Sequence, residues 1–395
     1  MQLGLSESTA SYSRTLISRF AAVDNLQTYD PYDVWKTRIG FYAKDLYNRR
    51  PLLGLPVVAP LALVDDTFNN GPRWCYRKQE YPIVRALAAL TLVAEYRKSG
   101  DATAMATARR HLEWLAENTC TGYHGHCWGL GFPYAVRRDI VYGSNTPLAT
   151  MTPYALEAFA EYTETTGDPS FESVIASTMR FFDCDVQTMY EDSDTLATSY
   201  GPYRDRIVVN AVSYTMFANA LSLSHASRLN TGFRREKIRK LFAYVRGQQR
   251  LDGSWLYSPE GRSFIDCFHT CIVLKNIVKT HRLVELQGAD DVIAAGYAYL
   301  KHAFLDEKRF LMRRFSVKNK PGLIRFDLYD NAETLNIAAL LGDHVFARRL
   351  LASILRTFCT GLDVYSQIDF LGLRRNRNTL RWAVMPFLYA VSQLG

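Results

Sequence analysis

The chain has 395 residues, 48% hydrophobic and 22% charged, a composition that supplies a large apolar core and excludes a disordered polypeptide. Its net charge of +8 points to an acidic partner such as an anionic glycan or a phospholipid surface, and the sequence carries no signature of a nucleic-acid-binding fold. The longest apolar run, 52–64, is interrupted by Gly54, Pro56 and Pro60 and falls short of the ~20 residues of a membrane-spanning helix, so no span is expected.

The first residues lack the basic start, apolar run and small-residue cleavage site of a secretory signal, which predicts a cytoplasmic protein, peripheral at the inner membrane if its basic edge engages lipid. Seven cysteines without a CxxC suit a reducing compartment. No linker composition divides the chain, so the expectation is an N-terminal arm over 1–29 and a single domain over 30–395. Val64-Asp65-Asp66-Thr67 is similar to the acidic motif of class II terpene cyclases, but Leu63 stands where that motif begins with a carboxylate, and a capped loop is expected.

Apolar residues recur every three to four positions over 81–99, 102–118, 152–166, 171–183, 209–227, 234–249, 267–281, 291–303, 332–341 and 344–359, which predicts helices. Several of these meet at a Gly-Asp step, Gly100-Asp101, Gly167-Asp168 and Gly342-Asp343, where glycine ends one helix and aspartate caps the next. The hairpins recur at uneven intervals of about 40 to 70 residues, which disfavours an open solenoid. The predicted fold is therefore all-α: an α/α toroid, a six-hairpin-like barrel with irregular cleft-lining connectors over 123–146, 200–208, 251–265 and 312–331.

Those connectors hold the candidate site. Residues 123–138 combine aromatic and basic side chains with glycines: Trp128 and Tyr134 could stack on sugar faces, and Arg137 and Arg138 could pair with a carboxylate. Asn210, at a helix start, is a further binding candidate. Gln249, Gly253 and Trp255 have the spacing of the repeat motif of triterpene cyclases, where such residues brace the ring; Trp255 is also a candidate sugar platform. Asp266 and His269, three apart, share a helical face and form a candidate acid/base unit with Tyr257 as its partner. Glu333 could complete a carboxylate pair with Asp266. Cys127, Cys267, His269 and Cys271 are of zinc-ligating type, but residues two apart on a helix diverge, so small buried thiols are expected, with no metal and no cofactor. Arg374, Arg375 and Arg377 form a dense basic run, expected as a solvated helix edge or as a contact with a membrane surface or a biosynthetic complex.

Taken together, Asp30-Pro31-Tyr32-Asp33, Trp128 to Tyr134, Gly143-Ser144-Asn145-Thr146-Pro147, Asn210-Ala211, Gln249 to Trp255 and Ile265-Asp266-Cys267-Phe268-His269-Thr270 resemble a family of bacterial proteins associated with surface-polysaccharide biosynthesis and the six-hairpin toroid. Phe264, Cys267 and Val209 replace the Trp, Asn and His of that pattern. The resemblance implies an enzyme acting on an anionic, uronate-containing saccharide by proton abstraction, as an epimerase or lyase. The alternatives are a glycoside hydrolase and a non-catalytic toroid binding glycan or a lipid-linked intermediate.

Overall fold

The computed structural model describes residues 7–137, 140–225, 231–260, 263–318 and 322–394, apart from the side chains of Arg137 and Ser224. Among them are fourteen α-helices: α1 (Glu7–Phe20), α2 (Arg38–Arg49), α3 (Pro51–Thr67), α4 (Pro82–Ser99), α5 (Ala102–Glu117), α6 (Thr152–Thr166), α7 (Glu172–Cys184), α8 (Val209–His225), α9 (Thr231–Gly247), α10 (Cys267–Leu283), α11 (Ala289–Phe304), α12 (Leu328–Leu340), α13 (His344–Phe358) and α14 (Met385–Ser392). Helices α4, α6, α8, α10, α12 and α14 each pack on the next, and α14 returns to α4. This closed inner ring is wrapped by α5, α7, α9, α11 and α13, each paired with the inner helix before it. Helix α1, within the segment read as an arm, packs on α14 and supplies the sixth outer position. Its Leu16, Ile17 and Phe20 belong to the common core, and its Tyr12 hydroxyl donates to the Gly361 carbonyl at 2.5 Å. The fold is thus the expected α/α toroid.

The Gly-Asp steps explain the tight end of three of the hairpins. Gly100, Gly167 and Gly342 all have left-handed φ, near 70°, which closes a helix without a Cβ clash. Asp101, Asp168 and Asp343 then accept from the backbone N–H of Thr103, Ser170 and Phe346 at 2.9, 2.9 and 3.2 Å. Because the short turns all join an inner helix to the next outer one, every long connector leads into the N-terminus of an inner helix. The connectors and six positive helix ends therefore share one face, which favours an anionic ligand there.

Two expectations fail. The segment 64–67 is not a capped loop: it ends α3, which is helical through Pro56 and Pro60, although no helix among the described residues is long and apolar enough to cross a membrane. Four residues apart, the two prolines lie on one face, so the backbone bonds they forfeit are confined to one side of the helix. Gly54 lets α3 approach α2 closely, since a Cβ there would fall 2.2 Å from Tyr47 Cα. The basic run is a strand, Arg374–Arg377, rather than a helix edge. It pairs antiparallel with Asp363–Asp369, which also pairs with Ile324–Asp327, giving a small sheet at the connector face.

Candidate functional site

A cleft of about 590 Å³ opens on the connector face between α3, the start of α10 and the strands at 315–317 and 324–327. Asp266 caps α10, accepting the His269 backbone N–H at 3.0 Å. The same carboxylate lies 2.8 Å from His269 Nδ1. A carboxylate can only accept, so the neutral imidazole carries its proton on Nδ1 and its lone pair on Nε2. Nε2 makes no hydrogen bond among the described residues, and His269 lines the cleft. The ring is held between Tyr257 and Phe268, whose centroids lie 4.5 and 3.9 Å away.

Across the cleft, the end of α3 contributes Asp65 and Asp66. Asp65 is committed, accepting from the Tyr76 hydroxyl and from Asn69 Nδ2. The Asp66 carboxyl makes no hydrogen bond among the described residues. Burial, aided by the Asp65 charge and opposed by Arg375, pushes its pKa above the ordinary carboxylate range. It is a carboxyl group biased toward its protonated form.

The cationic lining divides in the same manner. Arg314 pairs with buried Asp327 at 2.8 Å, and Gln367 donates to the same carboxylate oxygen at 3.0 Å. Arg313 faces Asp306 at 3.2 Å. Lys318 and Arg325 line the cleft and make no ion pair among the described residues, leaving two cations for a ligand. Tyr32, Trp35, Phe264 and Phe315 add aromatic wall.

Other sequence candidates lie elsewhere. Trp128 and Trp255 are fully buried, and their indole N–H groups donate to the carbonyls of Leu115 and Val245 at 3.0 Å each. Both rings are core, so they are removed from the sugar-binding set. Trp255 packs so tightly on Gly296 that a Cβ there would come within 2.7 Å of its ring, and Gln249 ties the same turn to the carbonyls of Gly253 and Val292. Glu333 is not in the cleft: it is buried, 2.8 Å from Lys275 Nζ, which also reaches Tyr154. The pair Asp266 and Glu333 is therefore not assembled, because each carboxylate serves a different cation or ring.

Tyr257 packs behind His269 and stacks on Phe264 at 4.7 Å, with its hydroxyl toward Arg206 and Tyr200; burial pushes its pKa far up. It positions the imidazole rather than facing a ligand. Tyr134 belongs to the same neighbouring cluster, 5.3 Å from Tyr142, where the Arg206 guanidinium lies 4.0 Å from the Tyr200 ring. Asn210, in the first turn of α8, is buried with Oδ1 unbonded among the described residues. Arg137 ends the strand Tyr134–Arg137; its side chain, and Arg138 altogether, lie outside the described residues. Cys267 and Cys271 both contact Thr334 Oγ1 at 3.4 Å while His269 turns to Asp266, so these groups do not converge on a metal.

The basic strand is largely occupied. Arg374 donates to the carbonyls of Arg356 and Thr357 and to Thr360, Arg375 to Asp369 and the Asp66 carbonyl, and Arg377 faces Asp363 at 3.5 Å. These side chains brace the sheet. Asp66, Arg314, Lys318 and Tyr32 were not singled out for the site from sequence. Asp66 stands in an acidic pair in the sequence, but the prolines before it read as a break in the helix that carries it to the cleft.

No family model and no curated protein matches this chain. Solved structures do match in fold. A cellobiose 2-epimerase from Bacillus thermoamylovorans superposes with a TM-score of 0.61 at 9% identity, over 79% of this chain and 87% of the other. A D-mannose isomerase gives 0.59 at 10% identity, over 80% and 86%. A GH76 α-mannanase from Bacteroides thetaiotaomicron gives 0.57 at 8% identity, over 92% and 97%. At these identities the likeness establishes the α/α toroid.

Proposed function

We propose that the protein is a glycan-active enzyme that removes a proton from an anionic, uronate-type saccharide, acting as an epimerase or lyase in cytoplasmic assembly of a surface polysaccharide. The observation that carries this reading is the imidazole of His269, oriented by Asp266 with its basic Nε2 toward the cleft, opposite a carboxyl group that favours its proton. His269 Nε2 takes the proton from C5, and the electron pair moves into the adjoining carboxylate, whose developing charge faces Lys318 and Arg325. Asp66 delivers a proton to the opposite face of C5, which inverts the centre. If the bond to the C4 oxygen breaks instead, the pair forms a C4–C5 double bond and Asp66 protonates the departing oxygen. Known epimerases, isomerases and glycosidases with this fold support a saccharide as substrate. The hydrolase reading through Asp266 and Glu333 loses its basis, since Glu333 is neutralised by Lys275 outside the cleft.

The test is to incubate the protein with acidic and neutral oligosaccharides in heavy water and follow the products by NMR and mass spectrometry. Deuterium at C5 with unchanged chain length identifies an epimerase; shorter chains with an unsaturated end identify a lyase. Shorter chains without unsaturation contradict the proposal in favour of hydrolysis, and binding without any conversion contradicts it in favour of a binding protein.

A further inference from the structure

The helical hairpin α2–α3 stands apart from the rest of the surface. Between Pro51 and Val64, α3 contains no charged residue, yet only Gly54 is buried in that stretch. Leu52 and Leu53 at its start are 89% and 58% exposed, and Leu55, Val57, Leu63 and Val64 are exposed as well. A helix that is apolar all round is ordinarily inside a core or a bilayer, whereas a helix awaiting one partner helix carries a single apolar stripe. Here the exposed residues cover more than half of the circumference, and only the face with Gly54, Val58, Leu61, Ala62 and Asp65 turns to the fold. Phe68 and Trp74, 71% and 67% exposed, extend the apolar surface beyond its end.

A second apolar element adjoins it. The turn between the strands Asp363–Asp369 and Arg374–Arg377 exposes Phe370, Leu371 and Leu373. This turn is fixed to the end of α3 through Arg375, which donates to the Asp66 carbonyl at 2.7 Å, and through Asn376, which accepts from Asn70 at 3.1 Å. Ala62 and Asp66 of α3, and Gln367 of the strand that leads into the turn, line the cleft.

Charge selects the occupant. Arg49 and Arg50 immediately precede the apolar helix and are exposed, as are Arg77 and Lys78 after it, while Asp65 is turned inward. Basic groups beside an all-apolar helix match the headgroup and acyl layers of an anionic membrane. At 17 residues, α3 is about 25 Å long, and no helix among the described residues is long and apolar enough to cross a membrane. We propose that α3, with the 370–373 turn, inserts into the surface of an anionic phospholipid bilayer and sets the cleft at the headgroup layer. This docking is independent of the chemistry proposed for the cleft.

The experiment is flotation of the full chain with vesicles of phosphatidylcholine alone or mixed with phosphatidylglycerol, with tryptophan fluorescence as a second readout. The wild type is expected to float with the anionic vesicles, less so in high salt. Leu52→Glu/Leu53→Glu, at exposed positions, should weaken binding at least about tenfold with an unchanged circular dichroism spectrum, and Arg49→Gln/Arg50→Gln should weaken it less and reduce its salt dependence. The proposal is overturned if the wild type stays soluble with both vesicles, or if the leucine variant floats as well as wild type. Concentration-dependent dimerisation abolished by the leucine variant, without vesicle binding, would assign the surface to a second copy and also overturn it.

Discussion

Two histidines of this chain meet opposite fates. His111, on outer helix α5, is fully buried: its Nδ1 accepts from Arg85 at 2.8 Å and its Nε2 donates to the Ala21 carbonyl at 2.9 Å. Burial pushes its pKa down to about 4, with the Ala21 bond opposing and the Arg85 charge assisting. Among the described residues His269 uses only Nδ1, in the opposite tautomer, and leaves Nε2 to the cleft. The same contrast separates Asp66, unbonded at the cleft among the described residues, from Glu333, paired with Lys275. Residue type nominates a group for chemistry, but the atom left unbonded beside open space qualifies it.

This contrast is open to attack in several ways. The largest effect is expected at the cleft: His269→Ala should lower turnover by roughly 10²–10⁴-fold with little change in melting temperature, whereas His111→Ala should lower stability and spare the turnover of the folded fraction. Lys275→Ala leaves Glu333 buried without its partner and should destabilise the fold by about 3–5 kcal/mol in denaturant titration. Replacing both by Met and Leu should recover much of that loss.

Acid stability sharpens the comparison further. Since His111 has its pKa depressed from 6.5 to about 4 in the folded chain, its contribution is complete above 6.5 and is lost as pH falls toward about 4. It amounts to about 3 kcal/mol at most, and His111→Gln should flatten that part of the stability profile. Asp66→Asn should cost roughly 10²-fold in turnover. It should also remove the decline in turnover expected of wild type when pH rises through the raised Asp66 pKa. Smallest of all, Tyr257→Phe should change turnover by less than about threefold, because its hydroxyl points to Arg206 and not to the cleft.

The ring itself was legible. Helical periodicity and the Gly-Asp steps specify inner and outer helices locally, and the predicted bounds of α6 coincide with the observed ones. Helices α1, α2, α3 and α14 escaped: α14 is short and follows a π-helical turn over Leu380–Val384, and α3 carries two prolines that ordinarily signal a break. Of the site, the Asp266–His269 unit was readable because both partners lie on one helical turn. The opposite wall was not, because Asp66 and Arg314 reach the cleft only through tertiary packing of segments about 250 residues apart. Aromatic residues misled most. Trp128 and Trp255 sit in glycine-rich connectors, yet each ring is spent on sealing a joint between a connector and a helix.

The most direct measurement is the rate of deuterium incorporation from heavy water into a uronate-containing oligosaccharide, compared between wild type and His269→Ala at matched folded concentration. The account predicts incorporation at C5 by wild type and a rate at least about 10²-fold lower in the variant. Equal rates in the two proteins would contradict it, and would move the base out of the Asp266–His269 unit.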